Sequence, residues 1–455
     1  MTSSPKALFV APSGYPLGGV ATWLDYLIPG LRRHGWDATL GLVSGPRHHD
    51  ARTYLDQHPC ETAVVIGCET GTRRGRIAAV SATLQRLRPD VVVSANIPDA
   101  LLAVESVRRR GGPAARGVMS CHGIEPDLYD DMALMRDALD AVICTNRLAS
   151  ELAVRLGGLD PERSLYACYG TDLPADVPIR AAGTPLTLAF VGRIEQPQKR
   201  VLDLTPLAAA LRSQAVSFRI QVAGAGPLAG ELKREAQAAD VLGTIDFLGR
   251  LGPGELVDRV YRRADALLLT SSWETGPIVI WEAMAHGCAV ITSDYVGNRR
   301  EGALRHEENC LMFPVGDMKA AAEQARRLAT EPGLRERLVR AGRELVEERY
   351  SVEASIEQWS RVLTSIVDRP ARRCGTLPLD DGPRGRLDRW LGPGAAGRVR
   401  RLMGRRPPDA GPGGEWPHSL SKPAVSKDDF LAMAAEADRA EDGAAVCRQQ
   451  QSISC

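Results

Sequence analysis

Short apolar runs separated by longer amphipathic stretches recur along the first half of the chain, at 7–11, 63–66, 91–94, 117–120 and 141–144. Runs of four or five β-prone residues are strand length, and the gaps leave room for a helix after most of them. Strands alternating with helices predict a parallel sheet covered by helices. A second series follows Pro185, at 186–191, 218–223, 245–248, 266–270, 289–292 and 310–313, and predicts the same α/β architecture a second time. Between the two series, 171–185 holds three prolines and a glycine without helical periodicity, so the linker falls there. Further on, Leu334, Leu338, Ala341 and Leu345 make one apolar helical stripe, and Ser351 opens a last helix that ends near Val367. The predicted organisation is a first domain over 1–180, a second over 181–350, and a closing helix over 351–367 that crosses back to the first domain.

Beyond Asp368 the pattern dissolves into Gly, Pro, Arg and Ala with few large apolar residues, which predicts disorder over 368–455. Within it, the stretch from Arg384 to Arg406 holds eight arginines and one Asp. It sets Leu387, Trp390 and Leu391, then Val399, Leu402 and Met403, at helical spacing. Such a basic amphipathic segment suits an anionic membrane surface, although Gly392-Pro393-Gly394 interrupts it and a solvated charged tail reads equally well.

Composition narrows the partners. The chain has 455 residues, enough for two domains with a core each, and its 57 Lys and Arg against 56 Asp and Glu leave a net charge of +1. That balance argues against nucleic acid as the main partner. The opening apolar run is far shorter than the roughly 18 residues of a membrane span, so no signal peptide is expected. Ten scattered cysteines form no Cys-x-x-Cys pair, which fits reduced thiols in a cytoplasm.

The densest chemistry lies in 270–287, which leaves the strand at 266–270 and turns into a helix. Pro277 suits the first turn, and Gly276 lets a ligand approach the backbone. The exposed amides of Thr275, Gly276, Ile278 and Val279 would face the carboxyl end of the sheet, where open α/β sheets bind anions and nucleotides. Two carboxylates bracket this turn, Glu274 and Glu282. Glu282 sits on a helix that is apolar nearly all round, so it needs a partner, either sugar hydroxyls or a structural arginine. Glu274 either meets a ligand or caps the helix. On the loop after the strand at 186–191, Arg193 and Lys199 suit a diphosphate whose charge grows as it leaves. In the first half, the turn holding Gly18 and Gly19 follows the first strand, and His122 with Gly123 follows the strand at 117–120.

At these residues the chain resembles glycosyltransferase family 4, the retaining enzymes of GT-B fold whose hallmark is two glutamates separated by seven residues, here Glu274 and Glu282. The likeness runs over roughly 5–367 and is most specific over 190–316, where Glu282-Ala-Met-Ala and the Gly297-Asn-Arg-Arg-Glu301 turn keep the family order. It implies two Rossmann-like domains facing each other across a donor cleft. It also implies that Glu274 contacts the transferred sugar, Glu282 the nucleotide ribose, and Arg193 and Lys199 the diphosphate. Gly18 and Gly19 would lie near donor and acceptor, His122 beside the reacting carbon, and Arg250 and Leu251 near the base. No cofactor is expected beyond the nucleotide sugar as co-substrate, and the chain contains no Asp-x-Asp, so a metal-independent reaction is expected. The resemblance further implies a glycan or lipid-linked acceptor at the inner face of the cell membrane. The chain departs from the family at Arg200, at Thr275-Gly276-Pro277 and at Cys310, and the first two bear on donor identity rather than fold.

Three other readings compete. A sugar-nucleotide epimerase has no reason for the paired glutamates. A dinucleotide dehydrogenase would need Gly-x-Gly-x-x-Gly after the first strand, which is missing. A non-catalytic sugar-nucleotide-binding protein would be expected to lose the acids and cations that this chain keeps.

Overall fold

The computed structural model describes residues 4–13, 19–45, 50–177, 185–372 and 419–440, with scattered positions between 387 and 404. It divides into two compact units, Met1–Gly170 with Arg349–Val425, and Thr171–Glu348 with Ser426–Cys455.

In the first unit, Lys6–Pro12 (β1), Asp37–Ser44 (β2), Ala63–Gly67 (β3), Val91–Ala95 (β4), Arg116–Cys121 (β5), Ala141–Cys144 (β6) and Ser164–Tyr166 (β7) form one sheet. The order is β3-β2-β1-β4-β5-β6-β7, with every pair parallel. Central strands such as β1 and β4 are buried along nearly their whole length, which is why they read as unbroken apolar runs. β2 and β7 were not anticipated. The first carries Gly41 and polar Thr39 among its apolar residues, and the second is only three residues long.

The second unit repeats the plan. Leu186–Val191 (β8), Phe218–Ala223 (β9), Ile245–Gly249 (β10), Ala266–Leu269 (β11), Ala289–Ser293 (β12) and Leu311–Phe313 (β13) pair in the order β10-β9-β8-β11-β12-β13, again all parallel. In each sheet the chain builds two strands to one side of the first, then crosses to the other. The reversal falls between β1 and β4 and between β8 and β11, and ligands of such sheets bind outside the carboxyl ends there. A core of Leu188, Phe190, Ile220 and Val222 with Leu207 and Leu338 fills the space between sheet and helices.

The helix Val352–Val367 belongs to the first unit although it follows the second in sequence. Ser351 caps it by accepting from the Ala354 amide at 3.2 Å. It lies on Gly19–Arg33, where the missing side chain of Gly30 admits Ile356. The Trp359 indole N–H and the Ser355 hydroxyl both donate to the Cys168 carbonyl, at 3.2 and 2.8 Å.

Residues 419–440 depart from the disorder expected beyond Asp368. In the first unit, buried Asp131 accepts from the amides of Leu420 and Ser421 at 2.9 Å each. In the second, Lys427–Arg439 is a helix that buries Phe430, Ala434 and Ala437. The signal lay in Ser426 and Asp429, a helix-start spacing, and in a stripe made mostly of alanines rather than large residues. Among the described residues no helix is long and apolar enough to cross a membrane.

Candidate functional site

In the second unit the loops leaving β8 and β9 meet backbone to backbone. A Cβ on Gly224 would lie 1.9 Å from the Gly192 carbonyl oxygen, and one on Gly226 would lie 2.3 Å from that of Ile194. Gly224 also sits at φ +152, so the crossing is built from glycine for two reasons. The contact holds the loop that carries Arg193 and Lys199 close over the carboxyl ends of the sheet.

Lys199 and Glu274, 75 residues apart, form an ion pair at 2.6 Å. The Ser271 hydroxyl donates to the same Oε1, also at 2.6 Å, and no described residue bonds Oε2. Glu274 is therefore neither a helix cap nor solvated: it is 5% exposed and held from two sides. Its backbone is fixed as well, since its amide donates to the Val296 carbonyl at 3.1 Å. Arg193 bonds Gln198 at 2.7 Å and Glu195 at 3.1 Å within its own loop, with its side chain half exposed.

Gly276 adopts φ +100 just before the helix Ile278–Ala285, which Pro277 precedes. Thr275, Ile278 and Val279 are half-buried there, at the end where helix amides have no intrahelical acceptor. Glu282 lies on this helix, and the side chain it bonds is not an arginine. The Tyr261 hydroxyl donates to its Oε2 at 2.6 Å. Burial raises the Glu282 carboxyl above the ordinary range, the Tyr261 hydrogen bond opposes that rise, and Asp172 adds to it. The His286 ring stacks on Tyr261 with centroids 6.1 Å apart. Arg250 and Leu251 follow β10 at the edge of the sheet, the arginine exposed.

In the first unit, Gly18 lies outside the described residues, and Gly19 begins the helix Gly19–Arg33. His122 follows β5 and is enclosed by aromatic rings, with Trp23 at 4.9 Å and Tyr169 stacked at 5.5 Å. Its Nδ1 meets the Tyr169 hydroxyl at 2.5 Å and its Nε2 the Ser120 hydroxyl at 2.8 Å. Burial pushes its pKa down to about 3, so the imidazole is neutral at physiological pH and fixed at both nitrogens. Among the described residues no three His, Cys, Asp or Glu side chains are grouped to hold a metal ion.

Lys199, Glu274 and Ser271 are thus brought into one cluster, while Glu282 forms a second with Tyr261. Ser271, Tyr261, Ser120 and Tyr169 were not singled out beforehand. Ser271 was visible three residues before Glu274; Tyr261 and Tyr169 lie 21 and 47 residues from their partners, and no local spacing signals them.

Residues 176–345 match the family described as glycosyl transferases group 1. An exopolysaccharide phosphotransferase of Streptomyces coelicolor is 28% identical over 53% of this chain and 25% of the relative. A D-inositol 3-phosphate glycosyltransferase of Actinosynnema mirum is 31% identical over 44% of this chain and 51% of the relative. The chain spans from a quarter to about half the length of these curated relatives. HepE of Anabaena, solved with UDP and glucose, superposes with a TM-score of 0.63 at 18% identity, covering 79% of this chain and 100% of that one. At that identity the likeness speaks for the fold. Residues 176–345 therefore carry the glycosyltransferase group 1 signature, in a chain whose two Rossmann-like domains give it the GT-B fold.

Proposed function

We propose that the chain is a retaining glycosyltransferase of family 4 that moves a sugar from a nucleoside-diphosphate sugar to a glycan or lipid-linked acceptor, in the synthesis of a cell-envelope polysaccharide or glycolipid. The observation that carries the reading is the Lys199, Ser271 and Glu274 cluster at the carboxyl ends of β8 and β11. Both donors engage Oε1 of Glu274, which leaves Oε2 to accept from hydroxyls of the transferred sugar. Lys199 spends one N–H on Glu274 and keeps two for the diphosphate, so a single ammonium ties the sugar contact to the leaving group. Arg193, half exposed on the same loop, supplies a second cation. Glu282, held by Tyr261, accepts from the ribose; the family resemblance would put His122, neutral within the first unit, beside the reacting carbon.

In the reaction the bond from the anomeric carbon to the diphosphate oxygen breaks, and the acceptor oxygen bonds the same face. The acceptor proton passes to the leaving diphosphate, while Arg193 and Lys199 stabilise its growing charge. Those two cations take the part of a metal, in keeping with a sequence that has no Asp-x-Asp; transfer is expected to persist in EDTA. The name of the exopolysaccharide relative supports an envelope glycan as acceptor. The segment from Arg384 to Arg406, where Trp390 and Leu402 are about nine-tenths exposed, is assigned to an anionic membrane surface at the cytoplasmic face.

A thermal-shift series with UDP, GDP, ADP and their sugar conjugates, with NAD and NADP as controls, identifies the donor class. Glu274→Ala is expected to leave binding of the free nucleoside diphosphate nearly intact while transfer falls at least tenfold, about 1.4 kcal/mol of transition-state stabilisation. Arg193→Ala is expected to weaken both. Undiminished turnover in either variant, or a shift with NAD or NADP alone, overturns the proposal.

A further inference from the structure

The helix Lys427–Arg439 lies outside the segment that matches the family, yet it grips the backbone around Glu274. Trp273 and Val296 pair as a short parallel bridge, with the Val296 amide donating to Ser272 at 3.0 Å and the Glu274 amide to Val296 at 3.1 Å. The helix touches both sides of this bridge. Near its start, the Lys427 ammonium sits 5.0 Å from the Trp273 ring centroid, one residue before Glu274. Near its end, Asp438 accepts from the amides of Gly297 at 2.9 Å and Arg300 at 2.8 Å, just after Val296. Eleven residues of helix, about 16 Å of rise, separate these grips. Asp438 is 6% exposed, so both bonds are sheltered from water. Phe430, Ala434 and Ala437, buried at i, i+4 and i+7, seat the helix between them.

We propose that this C-terminal helix is a working part of the second unit's site, in which Asp438 on the 297–300 backbone and Lys427 on the Trp273 ring clamp the bridge beside Glu274 from both sides. Asp438 is then a positioning residue for sugar transfer. It touches no substrate; it fixes Gly297 to Arg300, and through the adjoining bridge at Val296 sets where the Glu274 carboxylate meets the sugar. The proposal rests on the glycosyl-transfer reading for its effect on turnover, but the clamp itself has a readout of its own.

The test uses the full chain with Asp438→Ala, with Phe430→Ala to unseat the helix by a different route, and with Met433→Ser on its exposed face as control. Hydrogen exchange over 272–301 is measured together with kcat and with Kd for the free nucleoside diphosphate. Asp438→Ala and Phe430→Ala are expected to speed exchange at 272–274 and 296–300, and to lower kcat tenfold or more. Nucleotide Kd is expected to stay within about twofold, and Met433→Ser to change nothing, which corresponds to about 1.4 kcal/mol lost in the transition state alone. Unchanged exchange overturns the clamp. Faster exchange with kcat kept within twofold overturns the positioning role, as does a loss of nucleotide affinity equal to the loss of kcat, the pattern of plain destabilisation. If the unmodified chain turns over no nucleotide sugar, the glycosyl-transfer reading fails, and exchange still decides whether the clamp exists.

Discussion

His122 is held by two hydroxyls and two aromatic rings, and its burial among them disfavours the imidazolium. Its folded pKa, about 3, lies below the ordinary 6.5, so between those values the unfolded chain binds the proton and the folded chain does not. Stability from this residue is therefore complete above about pH 6.5 and declines as pH falls toward 3. Replacing it by His122→Phe is expected to remove about one proton from the unfolding linkage. Between pH 6 and 4 the parent should lose about 1.4 kcal/mol per pH unit more than the variant in denaturant titrations. Parallel pH profiles would mean that the ring is protonated in the fold. At Glu282 the same cause shifts the pKa the other way: burial favours the neutral acid and raises it, and the Tyr261 hydroxyl is what opposes this. Tyr261→Phe is expected to raise the Glu282 pKa further, so the acid limb of nucleotide binding should move to higher pH, as read by calorimetric titration across pH 5 to 8. A binding profile that does not move would separate Glu282 from the nucleotide.

At the scale of elements, the chain turns where one residue is too small to be replaced. Gly170 ends the first sheet's return, and a Cβ there would lie 2.7 Å from the Ser351 carbonyl oxygen and 2.8 Å from the Val352 Cα. Both are backbone atoms at a helix start and cannot rotate away. Gly170→Ala is expected to cost about 1–3 kcal/mol by overpacking, measured as a lower denaturation midpoint with unchanged slope. A variant as stable as the parent would mean that the helix Val352–Val367 can slide. The same view explains which elements were legible in the sequence. All six strands of the second sheet were, because each is an apolar run bounded by polar or glycine-rich turns. In the first sheet β2 was lost behind Gly41 and its polar neighbours, and the helix Lys427–Arg439 behind its alanines, since pattern reading weighs large residues most. The paired glutamates and the cations were legible as types at a spacing. That Lys199 would pair with Glu274, and Tyr261 with Glu282, depends on strand order, which brings β8 beside β11 and which no local window contains.

For the molecule as a whole, the two units have separate sheets, and the groups assigned to the nucleotide diphosphate all lie in the second. Differential scanning calorimetry is expected to resolve two transitions, of which a saturating nucleoside diphosphate raises only one. Both transitions moving together would assign nucleotide contacts to the first unit as well. The return of 349–372 to the first unit also bears on how the protein is made. A ribosome releases the first sheet early, but the helix that covers Trp36, Gly30 and Cys168 is encoded after the second unit, 179 residues past Gly170. At about 5–20 residues per second, the nascent first unit waits roughly ten to thirty-five seconds with that face uncovered. The domain that emerges first is therefore the one finished last, and its bare face is where a chaperone has the longest opportunity to bind.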